Sequence, residues 1–377
     1  MKLALEYLHC TRSVIYFREF VFIINDPQWL ADFFSILITD DQFLPKDDLL
    51  LIRDLERYTT NGELTHELID VLLSLEKNQK FRPHKSHLLA LMEKFGLIAR
   101  VLISGTTTEN AQFSETYTIP SKLMELQNVD AITEKVSYLQ QSNLFVSKTL
   151  CFVFKDVSVP DELFHRIFAK VMRAYKAASL SIRGLEEAAE RGQTKTDNTI
   201  CLYSGFGCFE VDDLCRVIVS MHAERSTIAV TVISLTETQL PAESGPRIRL
   251  KVKQILRDTL HMSNQLHFQY AHQLHCNFHL SPFDTPVQLY GIIHSERGVP
   301  CKGVVCRAQH RLTKTDTTFW DIEQHLATVE GRENGAETTE CDTTISNRRP
   351  TPRELGRLSR PVDSSSCECL FIHLGLP

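Results

Sequence analysis

The chain has 377 residues, of which 43% are hydrophobic and 23% are charged, and its formal net charge is −6. This balance is typical of a folded protein with room for two or three domains, and it excludes a disordered chain. The mildly acidic charge offers no general basic surface for nucleic acid, so we expect no nucleic-acid partner.

The sequence contains no apolar run near the roughly 20 residues that a membrane-spanning helix needs, so we expect no integral membrane segment. The first residues, MKLALEYLHC, place Glu6 and His9 where a signal peptide would be apolar. They instead predict an amphipathic helix that begins before Met1, and hence a fragment of a longer protein. The 11 cysteines have no regular spacing, which without a signal peptide favours reduced thiols in the cytoplasm.

The first predicted domain covers residues 1–125 and is mainly helical. SVIYF and FVFII predict two short strands. Asp26 and Pro27 then form the start signal of a helix, on which Trp29 and Phe33 lie four residues apart on one apolar face. We expect Trp29 to be a core residue rather than part of a binding site.

More helices follow in the same domain, around Leu49–Tyr58, in THELIDVLLSLE and in HKSHLLALMEKFGLI. Gly96 is placed to close the last of these in a left-handed cap. LIARVLI and FSETYTI predict a hairpin whose tip is SGTTTEN.

A polar connector is predicted for residues 126–147, and a second domain for residues 148–262. TLCFVF predicts a strand, and VPDELFHRIFAKVMRAYK predicts a helix. Three closely spaced strand-like runs follow and predict an antiparallel meander. The last predicted element of the domain is a helix, PRIRLKVKQILRDTLHM. A Cys/His-rich extension covers residues 263–321, and residues 322–377 have the composition of a disordered tail. The predicted fold class is α+β.

Four segments occur in an order and spacing that match a known family: NDPQWLADFF, GELTHELIDVLL, LLALMEKFGLI and YTIPSKL. Through them the chain resembles the COR (C-terminal of Roc) domain of Roco proteins, up to roughly Leu260. The resemblance implies a helical COR-A-like subdomain in residues 1–125 and a COR-B-like subdomain, an antiparallel sheet with helices, in residues 148–262. It also implies a scaffold that packs against a Ras-like GTPase domain and commonly carries the homodimer contact.

The sequence lacks the catalytic signatures that accompany COR domains. It contains no GxxxxGK[ST] phosphate loop, no kinase signature and no leucine-rich repeat. We therefore predict a cytoplasmic, non-enzymatic signalling module without catalytic, cofactor-binding or metal-ligating residues. Its expected partners are a second copy, contacted through the sheet around Thr227–Leu235, and a Ras-like GTPase domain in cis or trans.

Two alternatives to this scaffold stay open. The chain is a fragment of a Roco GTPase whose GTP-binding domain lies upstream of residue 1, or it is a zinc-stabilised partner-binding module. Tetrahedral zinc needs four thiolate or imidazole donors, and AHQLHCNFHL and CKGVVCRAQH supply seven candidates: His272, His275, Cys276, His279, Cys301, Cys306 and His310. The favoured set is Cys276, His279 and Cys301 with Cys306 or His310.

The zinc alternative has a simpler competitor. The candidates include no C-x2-C pair, so buried reduced cysteines with scattered surface histidines explain them more simply.

Two other segments have both a functional and a structural interpretation. SGFGC resembles a glycine loop but lacks the following Lys-Ser or Lys-Thr pair, so we predict a tight turn or bulge. RIRLKVKQILR predicts the solvated basic face of a helix, with a contact for an acidic partner or a membrane surface as the alternative. Its basic residues are Arg247, Arg249, Lys251, Lys253 and Arg257.

Overall fold

The computed structural model describes residues 2–11, 13–17, 20, 22–39, 42, 44, 52–104, 111–127, 129–141, 144–155, 159–180, 200–236, 240–262, 269–276, 286–301 and 311–322. The fold of these residues is α+β, as predicted. The described residues of Met1–Asp48 and Ile69–Leu91 form one unit, and those of Leu49–Leu68 and Met92–Thr339 form a second.

The early part of the chain follows the predicted elements closely. Strands β1 and β2 pair antiparallel, and helices flank them. The bounds are α1 Lys2–Cys10, β1 Ile15–Tyr16, β2 Ile23–Ile24, α2 Pro27–Leu37, α3 Ile52–Asn61, β3 Glu63–Leu64, α4 His66–Ser74, a 3-10 helix Glu76–His84 and α5 Lys85–Phe95.

The start of α2 confirms the predicted cap. The Asp26 side chain accepts a hydrogen bond from the Gln28 backbone N–H at 2.9 Å, and Pro27 occupies the first turn. The apolar face of the helix is buried, and Trp29 packs its ring 4.9 Å from that of Phe81, which also contacts Phe33 at 5.5 Å. Trp29 is therefore a core residue, and Phe81 on the 3-10 helix is its aromatic neighbour.

A ten-stranded sheet dominates the second unit, in the order β14-β13-β7-β12-β11-β10-β8-β4-β5, with β9 beside β10. Its strands are β4 Leu102–Ser104, β5 Gln112–Phe113, β7 Thr149–Phe154, β8 Lys176–Ala177, β9 Leu202–Tyr203, β10 Phe206–Glu210, β11 Cys215–His222, β12 Thr227–Ser234, β13 Tyr270–His275 and β14 Val287–Gln288. The β10–β11–β12 part is the predicted antiparallel meander. SGFGC forms the predicted tight turn between β9 and β10, with Gly205 at φ 66°.

The remaining elements of this unit are short strands and the helices that cover the sheet. They are β6 Tyr117–Thr118, a 3-10 helix Pro120–Lys122, α6 Val129–Gln141, α7 Asp161–Ala174, a 3-10 helix Ala223–Arg225, α8 Ser244–Met262, α9 Leu289–Ile293, β15 Val299–Pro300, β16 Arg311–Leu312 and α10 Lys314–Thr318. Apolar residues of α7 and α8 pack with one face of the sheet, and those of α6 pack with the other.

Three segments differ from the predicted domain plan. The expected connector contains α6, whose Ile132 and Val136 are buried with sheet residues. The hairpin β4–β5 joins the large sheet, because Leu102 pairs in parallel with Lys176. The Cys/His-rich region adds β13 beside β7 and inserts Trp320 into the main core. The predicted tail lies outside the described residues, apart from Ile322.

Gly96 ends α5 as predicted, and it also permits a close approach to α7. Its φ is 70°, and the N–H groups of Gly96 and Leu97 donate to the carbonyls of Glu93 and Met92 in a Schellman arrangement. A Cβ on Gly96 would lie 3.0 Å from both Cα and the carbonyl oxygen of Arg166, so the backbone leaves no room for a side chain.

Replacing Trp29 with alanine should lower the free energy of unfolding by about 3 to 5 kcal/mol, because it opens a cavity against Phe81. Urea unfolding followed by circular dichroism measures this loss. Tyr7→Ala, at a position with an exposed side chain, is the control and should change the same free energy by about 0.5 kcal/mol or less. A loss below about 1 kcal/mol for Trp29→Ala would contradict its core role.

Replacing Gly96 with alanine should destabilise the second unit more than Gly205→Ala does. Both glycines have positive φ, which costs an alanine about 1 to 2 kcal/mol. At Gly96 the new Cβ would lie 3.0 Å from backbone atoms of Arg166, which is tighter than ordinary contact, whereas at Gly205 the nearest atom, the Met221 carbonyl oxygen, is 3.4 Å away. Thermal and urea unfolding of the two variants should show this difference, and equal losses would contradict the tight packing on Arg166.

Candidate metal centre

Three of the seven predicted zinc donors come together at the end of β13. The ligand atoms of His275, Cys276 and Cys301 all lie within 4.8 Å of one another. The Cys301 thiol donates a hydrogen bond to Cys276 Sγ at 3.1 Å. His275 is 1% exposed and Cys301 2%, whereas Cys276 is partly exposed.

The sheet register explains why these residues meet. β13 pairs antiparallel with β7, which places His275 opposite Thr149 and Gln273 opposite Cys151. Alternate residues of a strand share a face, so His275 and Cys151 lie on the same face of the sheet. Cys301 follows β15 directly, and its Sγ lies 3.1 Å from that of Cys276. Burial first, and then the nearby Cys301, raise the pKa of the Cys151 thiol.

Of the zinc ligands favoured from the sequence, the structure brings together only Cys276 and Cys301. His275 was a candidate but not in that set, whereas His279, Cys306 and His310 lie outside the described residues. His272 lies on the opposite face of β13, with its ring 5.0 Å from that of Phe152. No spacing rule could have separated His272 from His275; the strand register does so, because it turns odd and even positions to opposite faces.

The oxidation states of the cysteines differ within this region. Cys276 is disulfide-bonded. The described thiols are Cys151, Cys201, Cys208, Cys215 and Cys301. The expectation of reduced cysteines is therefore confirmed for these five and wrong for Cys276, whose bonded sulfur belongs to none of them.

A cationic cluster lies on α7 and at the end of α5. Burial, together with the charges of Lys94, Arg173 and Arg166, lowers the pKa of Lys170 to about 8, against the opposing effect of Asp258. Burial also lowers the pKa of Lys94 and of Arg166. These side chains hold positive charge in a partly desolvated region at some cost in stability.

The predicted basic face of α8 is divided between the interior and the surface. Arg249 is buried and donates to the Asp321 carbonyl oxygen at 3.2 Å. Arg247 pairs with Asp212, whereas Lys251 and Arg257 are exposed. The helix therefore does not present all five basic side chains to one partner.

The hollow beside α8 has a volume of about 890 Å³ and contains charges of both signs. Lys176 pairs with Glu210 at 3.2 Å, and Arg247 pairs with Asp212. Burial alone would raise the pKa of Asp212, but the Arg247 hydrogen bond and backbone N–H groups outweigh burial and lower that pKa. Within each pair the opposite charges neutralise each other. These side chains are therefore better suited to a structural role than to proton transfer.

Neither a scan against protein-family models nor a search of curated proteins finds a match for this chain. The resemblance to COR domains therefore rests on the four quoted motifs alone. Of the helices within the described residues, none combines the length and the apolar character that crossing a membrane requires.

Raising the pH should relieve a destabilising charge at Lys170. Its pKa is about 8 in the fold and 10.5 for an ordinary lysine, so between these values the unfolded chain binds more protons. Stability contributed by this group consequently rises with pH across that window. Lys170→Met should stabilise the protein at pH 7, with a smaller gain at pH 9, as measured by urea unfolding.

The control for this prediction is Lys251→Met, which changes an exposed lysine of α8. It should leave stability nearly unchanged at both pH values. Suppose instead that Lys170→Met gives the same gain in stability at pH 7 and pH 9. The pKa of Lys170 would then be the same in the folded and the unfolded protein, contrary to the prediction.

Proposed function

We propose that the chain is a non-enzymatic scaffold of the Roco type, with COR-A-like and COR-B-like subdomains. In this proposal it forms a homodimer and docks a Ras-like GTPase domain in signalling. The observation that carries the proposal is that the motif residues behind the resemblance are used for packing and capping. Scaffold motifs are expected to behave in this way, whereas catalytic motifs direct polar groups into a cleft.

Two of the four motifs pair with each other. GELTHELIDVLL contributes Glu63 and Leu64, which pair with Thr118 and Tyr117 of YTIPSKL. The Ile119 N–H donates to the Gly62 carbonyl oxygen at 2.8 Å, continuing the contact. The two segments, more than fifty residues apart, are therefore complementary parts of one structure.

The other two motifs are helices with local signals at their ends. NDPQWLADFF supplies the Asp26 cap and the buried Trp29. LLALMEKFGLI supplies Leu88 and Met92, each 0% exposed, and the closing Gly96. Each of these residues is explained by stability, which supports a scaffold as the common function of the motifs.

The expected dimer surface needs a correction. Every residue of β12, Thr227–Ser234, is buried, and the strand lies between β11 and β7. β12 has apolar residues on both of its faces because both faces are buried. The strand face therefore cannot contact a second copy unless the sheet opens.

Exposed apolar side chains occur instead at the C-terminal end of β12. The Ser234 N–H donates to the Phe145 carbonyl oxygen, and the Leu235 N–H to the Leu214 carbonyl oxygen, each at 2.8 Å. Phe145 is 41% exposed and Leu214 40%. We place the homodimer contact on this end patch, defined by Phe145 and Leu214.

Sedimentation of the full chain at tens of micromolar tests the homodimer. We expect a concentration-dependent dimer, weakened about tenfold or more by Phe145→Ser with Leu214→Ser, because central apolar residues carry most interface energy. Leu250→Ser, which changes an exposed leucine of α8, is the control and should leave the dimer intact. A strictly monomeric parent protein would refute dimerisation, and equal weakening by the control would refute the end patch.

The GTPase part of the proposal has a separate test. Reading the transcript upstream of Met1 distinguishes a scaffold that docks a GTPase in trans from a fragment of a Roco GTPase. A phosphate-loop motif upstream would support docking in cis, whereas a stop codon close to Met1 would support docking in trans.

A further inference from the structure

We propose that a cluster of four partly buried cations in the second unit binds a soluble polyphosphate anion, a chain of two or more phosphate groups. This cationic cluster consists of Lys94, Arg166, Lys170 and Arg173. The inference goes beyond the scaffold role and does not depend on it.

Three of the four cations lie on one side of α7. Arg166, Lys170 and Arg173 are separated by four and three residues, which are the spacings of neighbours on a helix surface. Like charges at these spacings destabilise a helix, and here all three side chains are also partly removed from water. The arrangement therefore costs stability, which neutral side chains at the same positions would avoid.

The fourth cation comes from the end of α5. A Cβ at Gly96 would lie 3.0 Å from Arg166 Cα, so the chain approaches α7 closely at this point. Lys94 lies two residues before Gly96, and its charge acts on Lys170. Two segments that are distant in the chain therefore bring like charges together, and apolar packing between them does not require this.

Neighbouring carboxylates offset only part of this positive charge. Asp258 acts on Lys170 and Glu162 acts on Arg166, and each favours the charged form of its cation. Burial nevertheless lowers the pKa of both cations, and with the added effect of the other cations it brings that of Lys170 to about 8. At pH 7 Lys170 is therefore still mostly protonated, and a bound anion would stabilise this charged form.

The side-chain chemistry of the cluster favours phosphate. A guanidinium group donates two parallel hydrogen bonds to one phosphate, and an ammonium group adds a compact charge. The cluster contains two groups of each kind. Arg166 and Arg173 are about 10 Å apart along the helix axis, which favours an anion with several phosphate groups over a single phosphate ion.

An aromatic ring restricts the position of Arg173. Its guanidinium lies 5.7 Å from the centre of the Phe113 ring, a contact that does not use its N–H donors. Arg100 lies 5.8 Å from the same ring but donates two hydrogen bonds of 3.1 Å to the Glu93 carboxylate. Arg100 is thus held in an ion pair, and it is not part of the cationic cluster.

Two properties favour a soluble ligand over a membrane surface. The four side chains of the cluster are only partly exposed, so a small anion reaches them more easily than a flat bilayer does. The whole chain has a net charge of −6 and would therefore be repelled by an extended anionic surface.

Isothermal titration calorimetry of the full chain with sodium tripolyphosphate tests the proposal. At pH 7 and low ionic strength we expect one site per chain, whose affinity falls as salt is added. Lys170→Met should weaken this affinity about tenfold or more, since it removes a hydrogen bond between charged groups. Lys251→Met removes the same charge from an exposed position on α8 and should change the affinity by about twofold or less.

Thermal unfolding gives Lys170→Met a second signature. Without ligand this variant should have a higher Tm than the parent protein, because a partly buried charge is removed. Tripolyphosphate should raise the Tm of the parent protein, and the increase should be smaller in the variant. A substitution that only damaged the fold would lower the Tm without ligand, so the two effects separate loss of a ligand contact from loss of structure.

Three outcomes would overturn the proposal. The first is no binding of tripolyphosphate to the parent protein at concentrations up to about 1 mM. The second is equal weakening by Lys170→Met and Lys251→Met, which would indicate general attraction between charges. The third is binding to phosphatidylcholine vesicles that contain phosphatidylinositol bisphosphate without binding to tripolyphosphate, which would identify a lipid headgroup as the ligand instead.

Discussion

Burial of β12 on both faces is the constraint on which the large sheet depends. Thr227–Ser234 is flanked by β11 and β7 and every one of its residues is buried, so its polar side chains must be satisfied internally. Thr231 shares a hydrogen bond of 2.7 Å with Thr149, and Thr227 donates to the Arg225 carbonyl oxygen at 2.8 Å. Replacing one of these threonines with an apolar residue would remove its hydrogen bond and leave the group at the other end of that bond without it. The bond between Thr231 and Thr149 crosses to the neighbouring strand, so it supports the register together with the apolar side chains.

A central strand of this kind moves recognition to the ends and edges of the sheet. Along β12 no side chain reaches solvent, so a partner can contact only the residues beyond its ends, such as Phe145 and Leu214. The same logic applies to the cluster of His275, Cys276 and Cys301, which forms where β13 ends and the chain leaves the ladder. At that point His275 still belongs to the sheet, while Cys276 is released from it and can turn toward Cys301.

The sequence predicts those elements whose signals are local. Asp26 with Pro27, the Gly96 cap and the closely spaced runs of the meander each lie within a few residues of the structure that they specify. The parallel pairing of Leu102 with Lys176 joins distant segments, and no local pattern encodes it. Similarly, the sequence supplies a pool of candidate donors, but which of His272 and His275 faces Cys151 depends on the register of β13 against β7.

A short stretch of chain leads from the end patch to the strand residue that pairs with His275. Residues 145–149 lead from the exposed Phe145 to Thr149, which lies opposite His275, and four residue steps span at most about 14 Å. Within this stretch the Lys148 carbonyl oxygen accepts the Trp320 indole N–H at 3.0 Å, and the Phe145 ring lies 5.0 Å from that of Phe319. Trp320 and Phe319 both belong to the segment after β16, so this segment packs against the chain between the end patch and Thr149.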